Sequence, residues 1–156
     1  MIALVRIDDR LVHGQVVVGW GQPLGARFIV LVDDDVRASD WEQDLYRMGV
    51  PDGVEVIFAS IGEAAERMPA WEADPRCGIV LMQSIGVAEQ LVERGAPITR
   101  LNIGGIHHRP DRTERLRYVY LSDAEVEALR GLKEKGIAVA AQDVPTTRPV
   151  PLSEFA

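Results

Sequence analysis

Three histidines, one Gly-Gly pair and a run of arginines hold the residue types and spacings in this chain that are suited to chemistry. The densest arrangement is Arg6-Ile7-Asp8-Asp9-Arg10-Leu11-Val12-His13-Gly14-Gln15. A lone histidine is more often structural than catalytic, but His13 has a particular setting. Neutral imidazole is a good nucleophile near neutral pH, since its unperturbed pKa is about 6.5. Gly14 removes side-chain bulk where an incoming group must approach. Arg10 carries a fork of N–H donors that matches phosphate oxygens. Asp9 or Asp8 is placed to orient the imidazole or to hold Arg10; turn formation and helix capping are the competing roles for both. The combination reads as a histidine that handles phosphate.

A second candidate stretch is Asn102-Ile103-Gly104-Gly105-Ile106-His107-His108-Arg109-Pro110-Asp111-Arg112. Its Gly-Gly pair would let backbone amides approach an anion. Arginines at 109, 112, 115 and 117 make it the one locally basic patch on an acidic chain. The functional reading is a phosphate clamp facing His13, and for each arginine taken singly a solvated turn competes. His107 and His108 with Asp111 raise the question of a metal. Adjacent side chains rarely converge, and neither HxxxH nor CxxC spacing is present, so no metal is expected. Asp33-Asp34-Asp35 reads as an acidic turn rather than a magnesium site. With no Walker loop and no GxGxxG after a strand, no nucleotide cofactor is expected.

The elements that must position these residues follow from the apolar pattern. Residues 2–5 form a buried run feeding the His13 loop, and a helical pattern leaves it from Val16 through Trp20. Further strands are expected at 28–32, 54–59, 77–82, 98–103, 118–121 and 137–141. Ser39, Ser60 and Ser122 each stand three residues before a glutamate, the capping-box spacing, and Ser84 is a further helix cap. Helices are expected from Ser39 to about Met48, after Ser60 with Pro69 disturbing the later turns, from Val87 to Arg94, and after Ser122 to Lys135. Gly49 with Pro51, Gly95 with Pro97, and Gly136 are the stops. Strands that are near-continuous apolar runs are covered on both faces. One α/β domain over residues 1–156 is expected, with an open, mainly parallel sheet and helices on both faces. The stretch between the fifth and sixth strands has no good helix, and that break leaves room for one antiparallel strand. The proline-rich tail after Val144 reads as extended and edge-like. In such a fold, ligands collect where strands end, and a helix N-terminus favours an anion there.

Composition narrows the function classes. The chain has 156 residues with 47% hydrophobic and 26% charged, an ordinary globular balance. A net charge of −7 argues against nucleic acid or an anionic membrane as a general partner. Cys77 is the single cysteine and reads as a small core residue in a buried strand. No apolar segment approaches the roughly 20 residues of a membrane span. A cytoplasmic protein is expected.

The stretch from Arg6 to Val16, followed by Trp20, resembles the active-site segment of the IIB component of the mannose/fructose/sorbose class of the phosphoenolpyruvate-dependent sugar phosphotransferase system. Asn102-Ile103-Gly104-Gly105 and the region from Gly136 to Pro145, with Gln142-Asp143-Val144-Pro145, resemble the same family, so the likeness spans essentially the whole chain. It implies an open, mainly parallel seven-stranded sheet. It also implies a phosphocarrier: His13 accepts a phosphoryl group on Nδ1 from a phosphohistidine of the IIA component and passes it to a sugar bound by the membrane IIC/IID components. That places the chain in the cytoplasm, peripherally associated with the permease, and makes a homodimer an option. Beside His13, chemistry assigns Arg10 and Asp9 to the active loop, and Arg10, Gly14, Gln15, Gly104, Gly105 and Arg112 to phosphate binding. The chain departs from the family after Gly-Gly, where an aromatic or small residue and a Lys/Arg turn are usual; here the basic character maps to Arg112. Alternatives are a IIB-like regulatory phosphorelay protein not coupled to sugar uptake, a histidine phosphatase, and a non-catalytic binding domain. The phosphatase reading fails at Val12, where the Arg-His-Gly pattern needs arginine.

Overall fold

The apolar runs become strands because both of their faces are covered. The computed structural model describes the backbone of residues 1–10 and 15–156 and the side chains of residues 1–10 and 18–156. In chain order the elements are β1 (Ile2–Ile7), α1 (Gln15–Leu24), β2 (Phe28–Val32), α2 (Asp34–Arg37), α3 (Asp40–Met48), β3 (Glu55–Ala59), α4 (Ile61–Ala73), β4 (Gly78–Met82), α5 (Ile85–Glu93), β5 (Arg100–Ile103), β6 (Thr113–Leu116), β7 (Val119–Leu121), α6 (Asp123–Glu134), β8 (Ala138–Ala141) and β9 (Val150–Pro151). A 3-10 turn at Leu152–Glu154 follows. The main sheet has seven strands in the order β3-β2-β4-β1-β5-β8-β9. Its first six strands are parallel, and β9 runs antiparallel to β8 at the edge.

Every residue of β2 and β4 is buried. Phe28 stands opposite Gly78 in the register, and a Cβ at Gly78 would overlap the Phe28 ring. Two cores lie on the two faces of the sheet. One collects Ile7, Val30, Val80 and Ile103 with Met68 and Trp71 of α4, Leu91 of α5 and Leu129 of α6. The other collects Ile29, Leu31, Ile79 and Leu81 with Trp20 of α1 and Val36 of α2, and Tyr46 of α3 packs against it. So β1 leaves the sheet towards one face through α1. The connections from both its neighbours, β4 and β5, lead to helices on the other face. A strand whose connection departs opposite to its neighbours' opens a crevice at its carboxyl end.

The expected capping boxes form at Ser60 and Ser122, and Ser84 accepts from the Val87 N–H. Ser39 holds the N-cap position of α3 without a side-chain cap bond. The buried Gln43 side chain secures that end instead, donating to the carbonyls of Val36 and Arg37. Gly95 and Gly136 follow α5 and α6 with φ of 85° and 92°, a region that suits glycine.

Four expectations are corrected. Residues 118–121 do not join the main sheet: β7 pairs antiparallel with β6 in a separate hairpin. β5 already has β1 on one side and β8 on the other, so no edge is free for a strand inside the β5-to-β8 crossover. The seventh strand of the sheet is the proline-rich tail, and it supplies the antiparallel pairing. Pro69 does not disrupt the later turns of α4, which continues to Ala73; Met68 and Trp71, either side of it, are 1% and 5% exposed and hold the helix on the core. Cys77 lies before β4, half-buried rather than in the core. Asp33-Asp34-Asp35, expected as an acidic turn, opens the short helix α2: Asp33 caps it, and Asp34 accepts the Ile61 N–H.

Candidate functional site

At the carboxyl end of β1, a buried carboxylate organises two arginines. Alternation along the strand puts Arg6 and Asp8 on one face. Both are fully buried. Asp8 Oδ2 accepts from Arg6 Nε at 3.2 Å and from Arg6 Nη2 at 3.0 Å. Asp8 also accepts from Arg10 three times, through its backbone N–H, Nε and Nη2, each at 3.0 Å. Its own N–H is tied to the Met82 carbonyl. The rest of the Arg6 guanidinium is consumed by Asn102 Oδ1, the Gln142 carbonyl at 2.8 Å and the Asp143 carbonyl at 3.1 Å. Its cation also lies 4.5 Å from the centre of the Trp20 ring. Arg6 therefore stitches β1, β5 and the segment after β8 together beneath the site.

Arg10 has the opposite exposure. Its side chain is 40% exposed, anchored on Asp8 and 3.6 Å from Asp143 Oδ1. The hydrogen bonds it donates to Asp8 raise its pKa above the ordinary arginine value. Burial pushes Arg6 down, and the Asp8 charge only partly opposes that. For Asp8, burial favours the neutral acid, but the Arg10 hydrogen bonds and the Arg6 charge together hold it below the usual carboxylate range. The result is one buried neutralised pair and one cation fixed in place with a solvent-facing side.

The Gly-Gly pair serves this cluster differently from the expectation. The Gly104 N–H donates to the Ile7 carbonyl at 2.7 Å, so it is spent on the sheet and does not await an anion. A Cβ at Gly104 would run into the Arg6 guanidinium and Asp8, and one at Gly105 would meet the Arg10 side chain at Nε. The two glycines make room for arginines.

Asp9 points to the same loop. Its N–H donates to the Gly105 carbonyl at 2.9 Å. Its Oδ2 accepts the His107 N–H at 2.7 Å and contacts His107 Nδ1. Arg112, expected as a clamp, is turned away from the site. It is 9% exposed, its Nε and Nη2 donate to the two Glu125 oxygens at 2.8 and 3.0 Å, and its Nη1 donates to the His107 carbonyl. Burial opposes ionisation of Glu125, yet the Arg112 and Ser122 hydrogen bonds leave its pKa lowered. The reason is local: Glu125 is the capping-box acid of α6, so Arg112 is drawn to that helix end. His108 diverges from His107 and packs edge-on against Tyr120 at 5.7 Å.

His13 and Gly14 lie outside the described residues, as does the Gln15 side chain; α1 begins at Gln15. Of the remaining expected site residues, Asp9, Arg10, Gly104 and Gly105 come together, and Arg112 joins only through His107. Sequence reasoning left out Arg6, Asn102, Gln142 and Asp143 as site residues. The available signal was an arginine near the end of an apolar strand with an acid two residues on, a buried charge that needs partners.

The fold and this charge arrangement define an open α/β domain with a fixed, half-exposed arginine at its switch point. The chain matches the family described as PTS system sorbose subfamily IIB component over residues 2–156. It is 35% identical over 148 residues to N-acetylgalactosamine-specific phosphotransferase enzyme IIB component 1 of Escherichia coli, covering 92% of this chain and 91% of that protein. The crystal structure of the Escherichia coli N-acetylgalactosamine-specific IIB component 1 superposes with a TM-score of 0.88 at 32% identity, covering 96% of this chain and 98% of that one. The IIB domain of the sorbose permease from Klebsiella pneumoniae gives 0.87 at 29% identity, covering 99% and 95%. The chain belongs to the sorbose-subfamily IIB family of the sugar phosphotransferase system. Components of this kind are sugar phosphotransferases that work through a phosphohistidine, together with a IIA component and a IIC/IID permease.

Proposed function

We propose that His13 is the phosphoryl acceptor of this chain, taking the group on Nδ1 from a phosphohistidine of a IIA component and giving it to a sugar bound by the membrane IIC/IID components. In the first step the donor N–P bond breaks as the His13 N–P bond forms. In the second, a sugar hydroxyl attacks phosphorus, the His13 N–P bond breaks, and the hydroxyl proton ends, in the net balance, on the freed imidazole. The observation that carries this reading is Arg10, held on Asp8 at the switch point three residues before His13. Phosphoryl transfer needs chiefly positioning and charge stabilisation, and a fixed, half-exposed guanidinium supplies both. The start of α1 at Gln15 adds the positive end of a helix.

The relatives are named for N-acetylgalactosamine and sorbose, which supports a hexose or an N-acetylated hexosamine as the substrate class. Among the described residues no helix is long and apolar enough to cross a membrane. The proposed location is cytoplasmic, docked on the permease. The test is phosphorylation from labelled phosphoenolpyruvate with the general phosphotransfer proteins and a cognate IIA. Acid-labile label is expected on the wild type and none on His13→Ala. Equal label on that variant would overturn the assignment.

A further inference from the structure

The outer face of α3 carries an apolar stripe. Gln43 is buried and Tyr46 packs on the second core, so one side of this helix is spent on the domain. At 3.6 residues per turn, Trp41, Leu45 and Met48 line up on the opposite side. They are 67%, 51% and 83% exposed, and they are half of the six large hydrophobic side chains left exposed among the described residues. Single exposed apolar residues need no explanation, but three on one nine-residue helix, Trp and Met among them, have the composition of an interface anchor. Resting on the reading that this chain delivers to a permease, we propose that the stripe docks on the cytoplasmic face of the IIC/IID permease, in an apolar groove rimmed by Lys and Arg.

Charge selects that occupant. The segment from Asp33 to Met48 holds six acids and two arginines, and both arginines are already paired, Arg37 with Glu63 and Arg47 with Asp44. Helical spacing puts Glu42 and Asp44 on either side of the stripe. Such a rim is repelled by anionic lipid, and a second copy of the chain would meet it with a rim of the same sign. The cytoplasmic loops of membrane proteins carry the opposite excess, of Lys and Arg. Position agrees with charge. β2, which leads into α2 and α3, is two strands from β1 in the sheet, so their carboxyl ends lie about 10 Å apart at the usual strand spacing. The chain then returns to the amino end of the parallel strand β3, so Trp41, at the start of α3, is the part of the stripe nearest the edge that holds Arg10. A surface that approaches that edge reaches Trp41 in the same encounter. Three side chains fall short of the roughly 1,600 Å² that a stable complex buries, which suits a partner released after each transfer.

The test measures equilibrium binding of the unphosphorylated protein to purified IIC/IID permease in nanodiscs, with thermal unfolding as a folding check. It compares the wild type with Trp41→Ala, with Leu45→Ser/Met48→Ser and with Glu42→Gln/Asp44→Asn. The two apolar variants are expected to bind about tenfold more weakly, as loss of an interface anchor would produce, while still taking the phosphoryl group from IIA within about twofold of the wild type. Glu42→Gln/Asp44→Asn is expected to bind more weakly at low salt and to lose part of the salt dependence. Unchanged permease binding in Trp41→Ala and in Leu45→Ser/Met48→Ser overturns the proposal, as does a wild type that does not bind the permease. A loss confined to transfer from IIA, to binding of phosphatidylcholine/phosphatidylglycerol vesicles, or to self-association in sedimentation overturns it too, since each assigns the stripe to another occupant. Binding is read without phosphorylation, so label persisting on His13→Ala would overturn the His13 reading and leave this comparison standing.

Discussion

Replacing Asp8 with asparagine tests the centre of the site most directly. The two side chains have nearly the same shape, so packing is preserved while a charge is removed. Asp8 accepts five hydrogen bonds, two from Arg6 and three from Arg10, spread over both oxygens. Whichever way the asparagine amide is turned, its NH2 faces guanidinium donors. Arg6 is left fully buried with neutral acceptors only, those of Asn102, Gln142 and Asp143. Breaking a buried ion pair by removing one partner costs about 3–5 kcal/mol. A domain of this size shifts its melting temperature by roughly 2–4 °C per kcal/mol, so Asp8→Asn should lower it by about 6–20 °C. Urea unfolding followed by circular dichroism, with unchanged slope, gives the free energy directly. A loss below about 1 kcal/mol, the level of an exposed pair, would refute the view that Asp8 anchors the site.

The adjacent glycines should separate stability from function. Gly104→Ala drives a methyl into the buried Arg6–Asp8 pair and should cost about 1–3 kcal/mol in urea unfolding. Gly105→Ala meets the half-exposed Arg10 side chain, which can move aside, so stability should fall by less than about 1 kcal/mol while phosphoryl transfer slows. Glu63 offers a pH test. Hydrogen bonds from Arg37 and from the Ser60 backbone hold its carboxyl down at about 2, from an ordinary 4.5. A carboxyl lowered by folding stabilises the protein above its unfolded value, and that contribution fades as pH falls from about 4.5 through about 2. Glu63→Gln should flatten this part of the acid-unfolding curve; an unchanged curve would show that the Arg37–Glu63–Ser60 arrangement contributes nothing.

Much of the frame was legible because it depends on local pattern. The runs at 28–32 and 78–82 are strands, each with every residue buried, as a doubly covered sheet accommodates. Serine three residues before glutamate caps a helix at 60 and 122, where both side chains can close the box. At 39 the same spacing does not, because Gln43 ties that helix end to the carbonyls of Val36 and Arg37. Pro69 shows the limit of propensity: losing one helical bond is outweighed by seating Met68 and Trp71.

The site divides in the same way. The stretch from Arg6 to Gln15, and its resemblance to a phosphotransfer family, were available from residue types and order alone. The partners were not. Asp8 rather than Asp9 grips Arg10, Gly104 and Gly105 clear space for arginines, and Arg112 serves Glu125 while His107 takes the place beside Asp9. His107 meets Asp9 across 98 positions, and Arg6 meets Asn102 and Gln142 across 96 and 136. Sequence determines which groups carry charge and where strands end. Only the packed sheet, by placing β1, β5 and β8 side by side and excluding water from between them, decides which charge each of those groups must satisfy.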